Sequence, residues 1–207
     1  VDTVAASGQP ESVSIRSVEP HLLIDAVKRR DLSAVRALLE TGTDVNKRAR
    51  DGATALHWAV HQDEVETAAT LLAAGADVSA ATRYGVAPLA LASLNGHAGM
   101  IARLLAAGAD PNATQPGGET ALMTVARTGR VKAVQLLLEH GAEPNAREAS
   151  KGQSALMWAA AEDNAEVVRA LVAAGADVHA RSKVSLDLTP NEPGDKGFTA
   201  LLFAARA

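Results

Sequence analysis

The feature that most constrains the fold is a repeat with a period of 33 or 34 residues. A glycine recurs at Gly52, Gly85, Gly118 and Gly152. Around these glycines the chain reads DGATALHWAV, YGVAPLALAS, GGETALMTVA and KGQSALMWAA. A second signature closes each copy, as LLETGTDVN, LLAAGADVS, LLAAGADPN, LLEHGAEPN and LVAAGADVH. A period of this length predicts a stack of small units, each of which buries its apolar face only against its neighbours.

Each copy contains the signals of two short helices joined by a polar break. Thr54, Thr120, Ser154 and Thr199 precede apolar stretches and are predicted N-caps, while Ala87 followed by Pro88 takes this place in one copy. The second helix is predicted to end at a glycine in the left-handed conformation, at Gly42, Gly75, Gly108, Gly141 and Gly175. The sequence therefore predicts a helix, a turn, a second helix and a loop in every unit.

These motifs resemble those of the ankyrin-repeat family over roughly residues 20 to 207. The family's T-P-L-H-x-A-A pattern appears as TALHWAV, APLALAS, TALMTVA and SALMWAA, and its G-A-D-V-N signature appears in all five turns. The resemblance implies an all-α repeat solenoid, in which stacked helix-turn-helix units carry β-hairpin loops. It also implies a protein-binding surface on the concave side, formed by hairpin tips and first helices, with no catalytic residues.

The repeat boundaries divide the chain into a tail and one repeat domain. Residues 1–18 are predicted to be a flexible tail, and 19–207 the repeat domain. Within that domain we expect a capping repeat at about 19–50, regular repeats at 51–83, 84–116, 117–150 and 151–183, an insertion at 184–195, and the start of a truncated sixth repeat at 196–207. The incomplete last repeat predicts that the chain is a fragment. The insertion is either a functional finger or a tolerated surface loop.

Composition narrows the classes of function. The chain has 207 residues, a formal net charge of −4 and no cysteine, which excludes disulfides, a thiolate nucleophile and cysteine-ligated zinc. The mild acidity and the five aromatic residues argue against nucleic acid. No apolar run approaches the ~20 residues of a membrane span. The small, polar start VDTVAASGQPESVSIRS looks like a mature end left after export, which favours a periplasmic or secreted location over a cytoplasmic one, although other trimming would look the same.

A few residues could carry chemistry, and each has a simpler interpretation. His57 and His61 are spaced for one metal, but no third ligand is placed, and His57 occupies the family's histidine position, where a bond to loop backbone is expected. Trp58 and Trp158 are predicted to pack in the core, although an exposed pair would be a binding hot spot. Phosphate loops, nucleophile elbows and spaced carboxylate pairs are not found. We therefore predict no catalytic, cofactor or metal site.

The resemblance points to partner contacts beside each leading glycine, at the end of the first helix and near the GAD turn. The residues at these places that we predict to bind a partner are Arg50, His61, Arg83, Tyr84, Leu94, Asn95, Arg127, Thr128, Lys151, Glu162 and Lys196. Tyr84 beside Arg83, with Leu94 nearby, is the most hot-spot-like cluster. The loops are also rich in basic residues, and the turns between helices are rich in acidic ones. This charge pattern would either steer an acidic partner or be ordinary solvated charge.

Two functions follow. The first is a non-catalytic interaction module that binds one protein partner through its concave face and hairpin tips. The second is an obligate accessory subunit of a larger, possibly exported, multi-protein enzyme assembly. A module would be monomeric and soluble alone, whereas an obligate subunit would aggregate or co-purify at fixed stoichiometry. An enzyme is disfavoured, and the partner's identity is not encoded in these motifs.

Overall fold

The computed structural model describes residues 22–183 and 197–205, and within them the chain forms eleven short α-helices. The predicted tail 1–18, the insertion 184–195 and Lys196 lie outside the described residues. The helices are α1 (Leu22–Lys28), α2 (Leu32–Glu40), α3 (Ala55–His61), α4 (Val65–Ala73), α5 (Pro88–Asn95), α6 (Ala98–Ala106), α7 (Ala121–Thr128), α8 (Val131–Glu139), α9 (Ala155–Ala161), α10 (Ala165–Ala173) and α11 (Ala200–Ala204).

The helices form two layers. The first helices of successive units, α1, α3, α5, α7, α9 and α11, pack side by side, and the second helices α2, α4, α6, α8 and α10 do the same behind them. We call the side formed by the first helices and the loops before them the first-helix surface. Regular strands are not found in the described residues, where Thr114 and Thr120 form an isolated bridge. The architecture is the predicted all-α repeat solenoid.

Leucine and alanine supply most of the core, as the shortage of aromatic residues requires. One or two leucines are fully buried in each of the four units that run from α3 to α10, at Leu56, Leu71, Leu104, Leu122, Leu137, Leu156 and Leu171. Alanines such as Ala59, Ala92 and Ala126 lie between them and let the short helices approach closely. Burial of this kind needs both neighbours of a unit, so the core runs continuously through the stack.

The predicted helix ends are confirmed in most units. Gly42, Gly75, Gly108, Gly141 and Gly175 all have positive φ, between 82° and 91°. The hydroxyls of Thr120 and Ser154 accept from the amides of Met123 and Met157, as N-caps do. Thr199 precedes α11 without such a bond, and Pro88 opens α5. The capping residues, Pro88 and the terminal glycines therefore determine where the helices begin and end.

Backbone hydrogen bonds close each loop and join it to the next. The first and last residues of a loop pair at Ala49–Ala53, Thr82–Val86, Gln115–Glu119, Glu148–Gln153 and Ser182–Phe198. Between loops, the amide of Arg83 donates to Asp51 O at 2.8 Å, and that of Ala149 to Gly117 O at 2.7 Å. Pro116 occupies the corresponding position in the loop between them and has no N–H to donate. The Ser182–Phe198 bond stands before α11 as the corresponding bonds stand before the earlier first helices.

Asparagine side chains link successive units at the base of the loops. Asn46, Asn112 and Asn145 each donate from Nδ2 to a glycine carbonyl of the next unit, at 2.8–3.0 Å, and accept an amide of that unit at 2.7–2.8 Å. Ser79 takes this place in the unit before Pro116, and its hydroxyl bonds Asp77 instead. The junction between the loops at 80–86 and 113–119 therefore lacks both kinds of link found at the other junctions.

Restoring the missing link should strengthen this junction. Ser79→Asn places an amide where it can bond Gly108 O and the Asp110 amide, and a net hydrogen bond contributes about 1 kcal/mol. We expect the free energy of unfolding to rise by about 1 kcal/mol in urea titrations, with slower hydrogen exchange at the Asp110 amide. Asn112→Ala is the matched control and should lower stability. An unchanged exchange rate at Asp110 in Ser79→Asn would show that the link does not form.

Candidate functional site

The predicted partner-binding residues are mostly exposed on the first-helix surface. Tyr84 is 72% exposed and Leu94 is 51% exposed. The other exposed members are Arg50, His61, Arg83, Arg127, Thr128, Lys151 and Glu162, while Asn95 is half-buried. Lys196 lies outside the described residues. Exposure leaves these side chains available to a partner, but the structure brings only some of them together.

An apolar groove lies between α3 and α5 and the loops that precede them. It encloses about 250 Å³ and is lined by Ala53, His57, Trp58, His61, Thr82, Tyr84, Val86 and Leu91. We call it the Tyr84 groove. The rings of Trp58 and His61 meet edge to face, with centroids 6.0 Å apart. Two of the predicted residues, His61 and Tyr84, thus line one cavity.

The predicted association of Leu94 with Tyr84 is not what the structure shows. Leu94 lies near the end of α5 and is not among the residues that line the Tyr84 groove. Leu91, one turn earlier on the same helix, lines it instead. The position of Leu91 in the repeat could have indicated this role, because Leu91 stands where Trp58 and Trp158 stand in their own copies.

The side chain of His57 lines the Tyr84 groove and forms hydrogen bonds to both of the units beside it. Its Nδ1 accepts the backbone amide of Thr54 at 3.1 Å, so Nε2 carries the proton and donates to Val86 O, 3.1 Å away in the next unit. The predicted bond to loop backbone is confirmed. Burial of the ring lowers the pKa of His57 below 6.5, more than the bond to Val86 raises it. Both nitrogens are engaged, so the ring is a structural link between two units.

This burial predicts an acid-sensitive step in stability. The pKa of His57 is lower in the folded chain than its unfolded value near 6.5, so unfolding takes up a proton below that pH. We expect the free energy of unfolding to be fully retained above pH 6.5 and to fall as the pH drops, by at most about 1.4 kcal/mol per pH unit from this residue. His57→Met, which introduces the residue found at Met123 and Met157, should flatten this slope in urea titrations between about pH 5 and 7. Equal slopes would remove His57 as the cause.

The two tryptophans pack against the core, as predicted, but each is only half-buried. One side of each ring packs on the core, and the other carries a cation. Lys28 Nζ lies 4.4 Å from the ring centroid of Trp58, and the Arg127 guanidinium 5.0 Å from that of Trp158. Trp158 Nε1 donates to Gln153 at 3.1 Å, whereas Trp58 Nε1 has no partner among the described residues, because Ala53 stands in the place of Gln153.

A second groove lies two units further along, and it is polar. It encloses about 280 Å³ and is lined by Pro116, Gly117, Glu119, Glu148, Ser150, Lys151, Gln153 and Trp158. We call it the Trp158 groove. Leu91 and Trp158 hold equivalent positions in the two grooves, as do Tyr84 and Lys151. The same site in the fold is therefore apolar at one junction and polar at the other.

Glu148 organises the loop at the edge of the Trp158 groove. Its carboxylate accepts from the amides of Ser150, Lys151 and Gln153 and from the Ser150 hydroxyl, at 2.7–3.0 Å. Burial raises the pKa of Glu148, but the hydrogen bonds together outweigh it and hold the pKa below its usual value. This loop holds the extra residue of the 34-residue spacing, and the carboxylate fixes where the longer loop presents Lys151.

Positive charge is concentrated at the loop tips, the residues just before each leading glycine. Exposed cations there and beside them are Lys47, Arg48, Arg50, Arg83, Arg147, Lys151, Arg181 and Lys183. The ion pairs of the described residues lie elsewhere, as Arg30–Glu64, His97–Asp63 and Arg169–Glu166. Of the nearby carboxylates, Asp51 accepts from the Ala53 amide at 2.9 Å, Glu148 is occupied by its loop and Glu119 accepts from Thr124 at 2.8 Å. Within the described part, the tip cations are therefore not neutralised by salt bridges.

The described ranges hold no group of three or more His, Cys, Asp or Glu side chains arranged to bind a metal ion. None of the helices in the described part is long and apolar enough to cross a membrane. The arrangement offers a grooved surface with aromatic walls and a basic edge.

Comparisons with known proteins agree with this architecture. A family model for ankyrin repeats, of three copies, matches residues 23–115 and 89–182. Together the two matches cover well over half of the chain. A comparison with curated proteins returned no match.

Proposed function

The chain belongs to the ankyrin-repeat family, whose domains are generally protein–protein interaction modules, and we propose that it binds one protein partner through its first-helix surface. The observation that carries this proposal is the Tyr84 groove, an apolar cavity of about 250 Å³ beside a tyrosine that is 72% exposed. Tyrosine and arginine are favoured as interface anchors, and both stand at this tip as Arg83 and Tyr84.

The proposed contact runs from the Tyr84 groove to the Trp158 groove. Arg127, held against the Trp158 ring, presents a positioned cation near the second groove. A side chain that is already ordered loses less conformational entropy when a partner binds. A polar rim would surround Tyr84 and Arg127. We expect it to consist of the predicted residues Arg50, His61, Thr128, Lys151 and Glu162.

The proposed mode of action is binding without catalysis. His57 is the side chain of the Tyr84 groove best suited to act as a general base, but both of its ring nitrogens form structural hydrogen bonds. A general base needs a free nitrogen directed at a substrate. The groove therefore offers an apolar, aromatic cavity, and Arg83 beside it offers a positive charge.

Capture by matched variants tests the proposal. The chain would be used as bait in an extract of the cells that encode it, beside Tyr84→Ala with Arg127→Ala and a control, Arg103→Ala with Lys132→Ala. The control changes two exposed cations of α6 and α8 on the second-helix side. We expect one protein to be retained by the wild type and the control, and to be lost with the first pair.

Each replacement of a hot-spot residue should reduce affinity at least fivefold, about 1 kcal/mol or more. Loss with the control pair, or retention by all three baits, would contradict the first-helix assignment. A partner held by all baits at fixed stoichiometry would favour the accessory-subunit alternative. Far-ultraviolet circular dichroism of each variant confirms that the stack is folded.

A further inference from the structure

We infer that the partner presents an extended acidic segment whose single large apolar side chain enters the Tyr84 groove. This inference rests on the proposed function and names the chemistry of the partner. The Tyr84 groove is almost wholly apolar and lies between two units. A cavity of about 150 Å³ can hold a benzene ring, so one of about 250 Å³ has room for one large side chain.

The charges on the two edges of the first-helix surface orient this segment. The tip edge carries Arg50 and Arg83 on neighbouring loops, which are joined by the bond from the Arg83 amide to Asp51 O. The opposite edge, where the first helices end, is of mixed charge, since Asp63 and Glu64 are paired with His97 and Arg30, and Glu162 and Asp163 share this edge with Arg127. Carboxylates that flank the apolar anchor would therefore lie toward the loop tips, where charge complementarity attracts them.

The two grooves also fix a spacing along the segment. They lie two units apart in the stack, and packed helices are about 8–10 Å apart, which places the grooves about 16–20 Å from each other. An extended chain advances about 3.3 Å per residue. The residue at the Trp158 groove is therefore about five or six positions from the anchor. It is polar, because this groove is lined by Lys151, Gln153 and Glu119.

Selection from a random 12-residue peptide library displayed on phage tests the inference on the full chain. Enriched peptides would be synthesised with a fluorophore and titrated by fluorescence anisotropy. The titrations compare the wild type with Tyr84→Ala, Arg83→Glu and the control Lys132→Glu, an exposed cation of α8.

We expect the enriched peptides to share one large apolar residue flanked by Asp or Glu. Affinity should fall at least tenfold in Tyr84→Ala and in Arg83→Glu, should weaken with added salt, and should be unchanged in Lys132→Glu.

Other outcomes overturn the inference. No enrichment, enrichment of basic peptides, or enriched peptides that keep their affinity for Tyr84→Ala would each do so. Peptides of different chemistry that are lost from Tyr84→Ala would overturn the acidic segment and leave the first-helix binding surface supported. Peptides that bind all four proteins equally would contradict both.

Discussion

Gly52→Ala is expected to lower the free energy of unfolding by about 3 kcal/mol, from two separate causes. Gly52 has φ of +84°, where a Cβ is strained, and a Cβ built there lies 2.9 Å from the Arg83 backbone nitrogen. That nitrogen donates to Asp51 O in the link between neighbouring loops. The methyl group must therefore displace backbone of the next unit, and urea unfolding followed by circular dichroism measures the loss.

Gly42→Ala is the matched control for this prediction. Gly42 has nearly the same φ, +82°, but a Cβ there meets no atom within 4 Å. It should cost only the conformational strain, about 1 kcal/mol. Equal losses in the two variants would mean that the close approach of the loops contributes nothing to stability.

Leu137→Ala is expected to have the largest effect, a loss of about 3–5 kcal/mol. Leu137 of α8 is fully buried, and the replacement leaves a cavity in a central unit that packs on neighbours at both sides. Weakening one unit of a solenoid weakens both of its junctions. We therefore also expect the urea transition to broaden as the two parts of the stack lose cooperativity.

Leu138→Ala on the same helix separates burial from helix propensity. Leu138 is half-buried, so the identical replacement removes less apolar surface from contact and should cost about 1 kcal/mol. A cost for Leu138→Ala equal to that of Leu137→Ala would contradict the arrangement of α8 described above.

The helices and their limits could be predicted because each signal acts locally. A glycine such as Gly141 ends a helix through its own backbone freedom, and Thr120 caps α7 through an amide three residues away. Repetition of these local signals at one period also fixes which units are neighbours. For that reason the all-α stacked architecture followed from the sequence.

The grooves could not be predicted because they depend on which way a side chain faces across a junction. Leu94 and Leu91 lie one turn apart on α5, and their sequence context does not reveal which of them meets the neighbouring loop. Likewise, the cation above the Trp58 ring is Lys28, which comes from another unit. Glu148 illustrates the same limit, since the 34-residue spacing indicates an extra residue but not the carboxylate that organises it.

Hydrogen–deuterium exchange of the chain with its captured partner tests the central claim most directly. We predict slower exchange in the loops and first helices at 49–61, 82–94, 115–128 and 149–161, with no change in α4, α6, α8 and α10. Protection confined to those second helices would contradict a binding surface formed by the first helices and the loop tips.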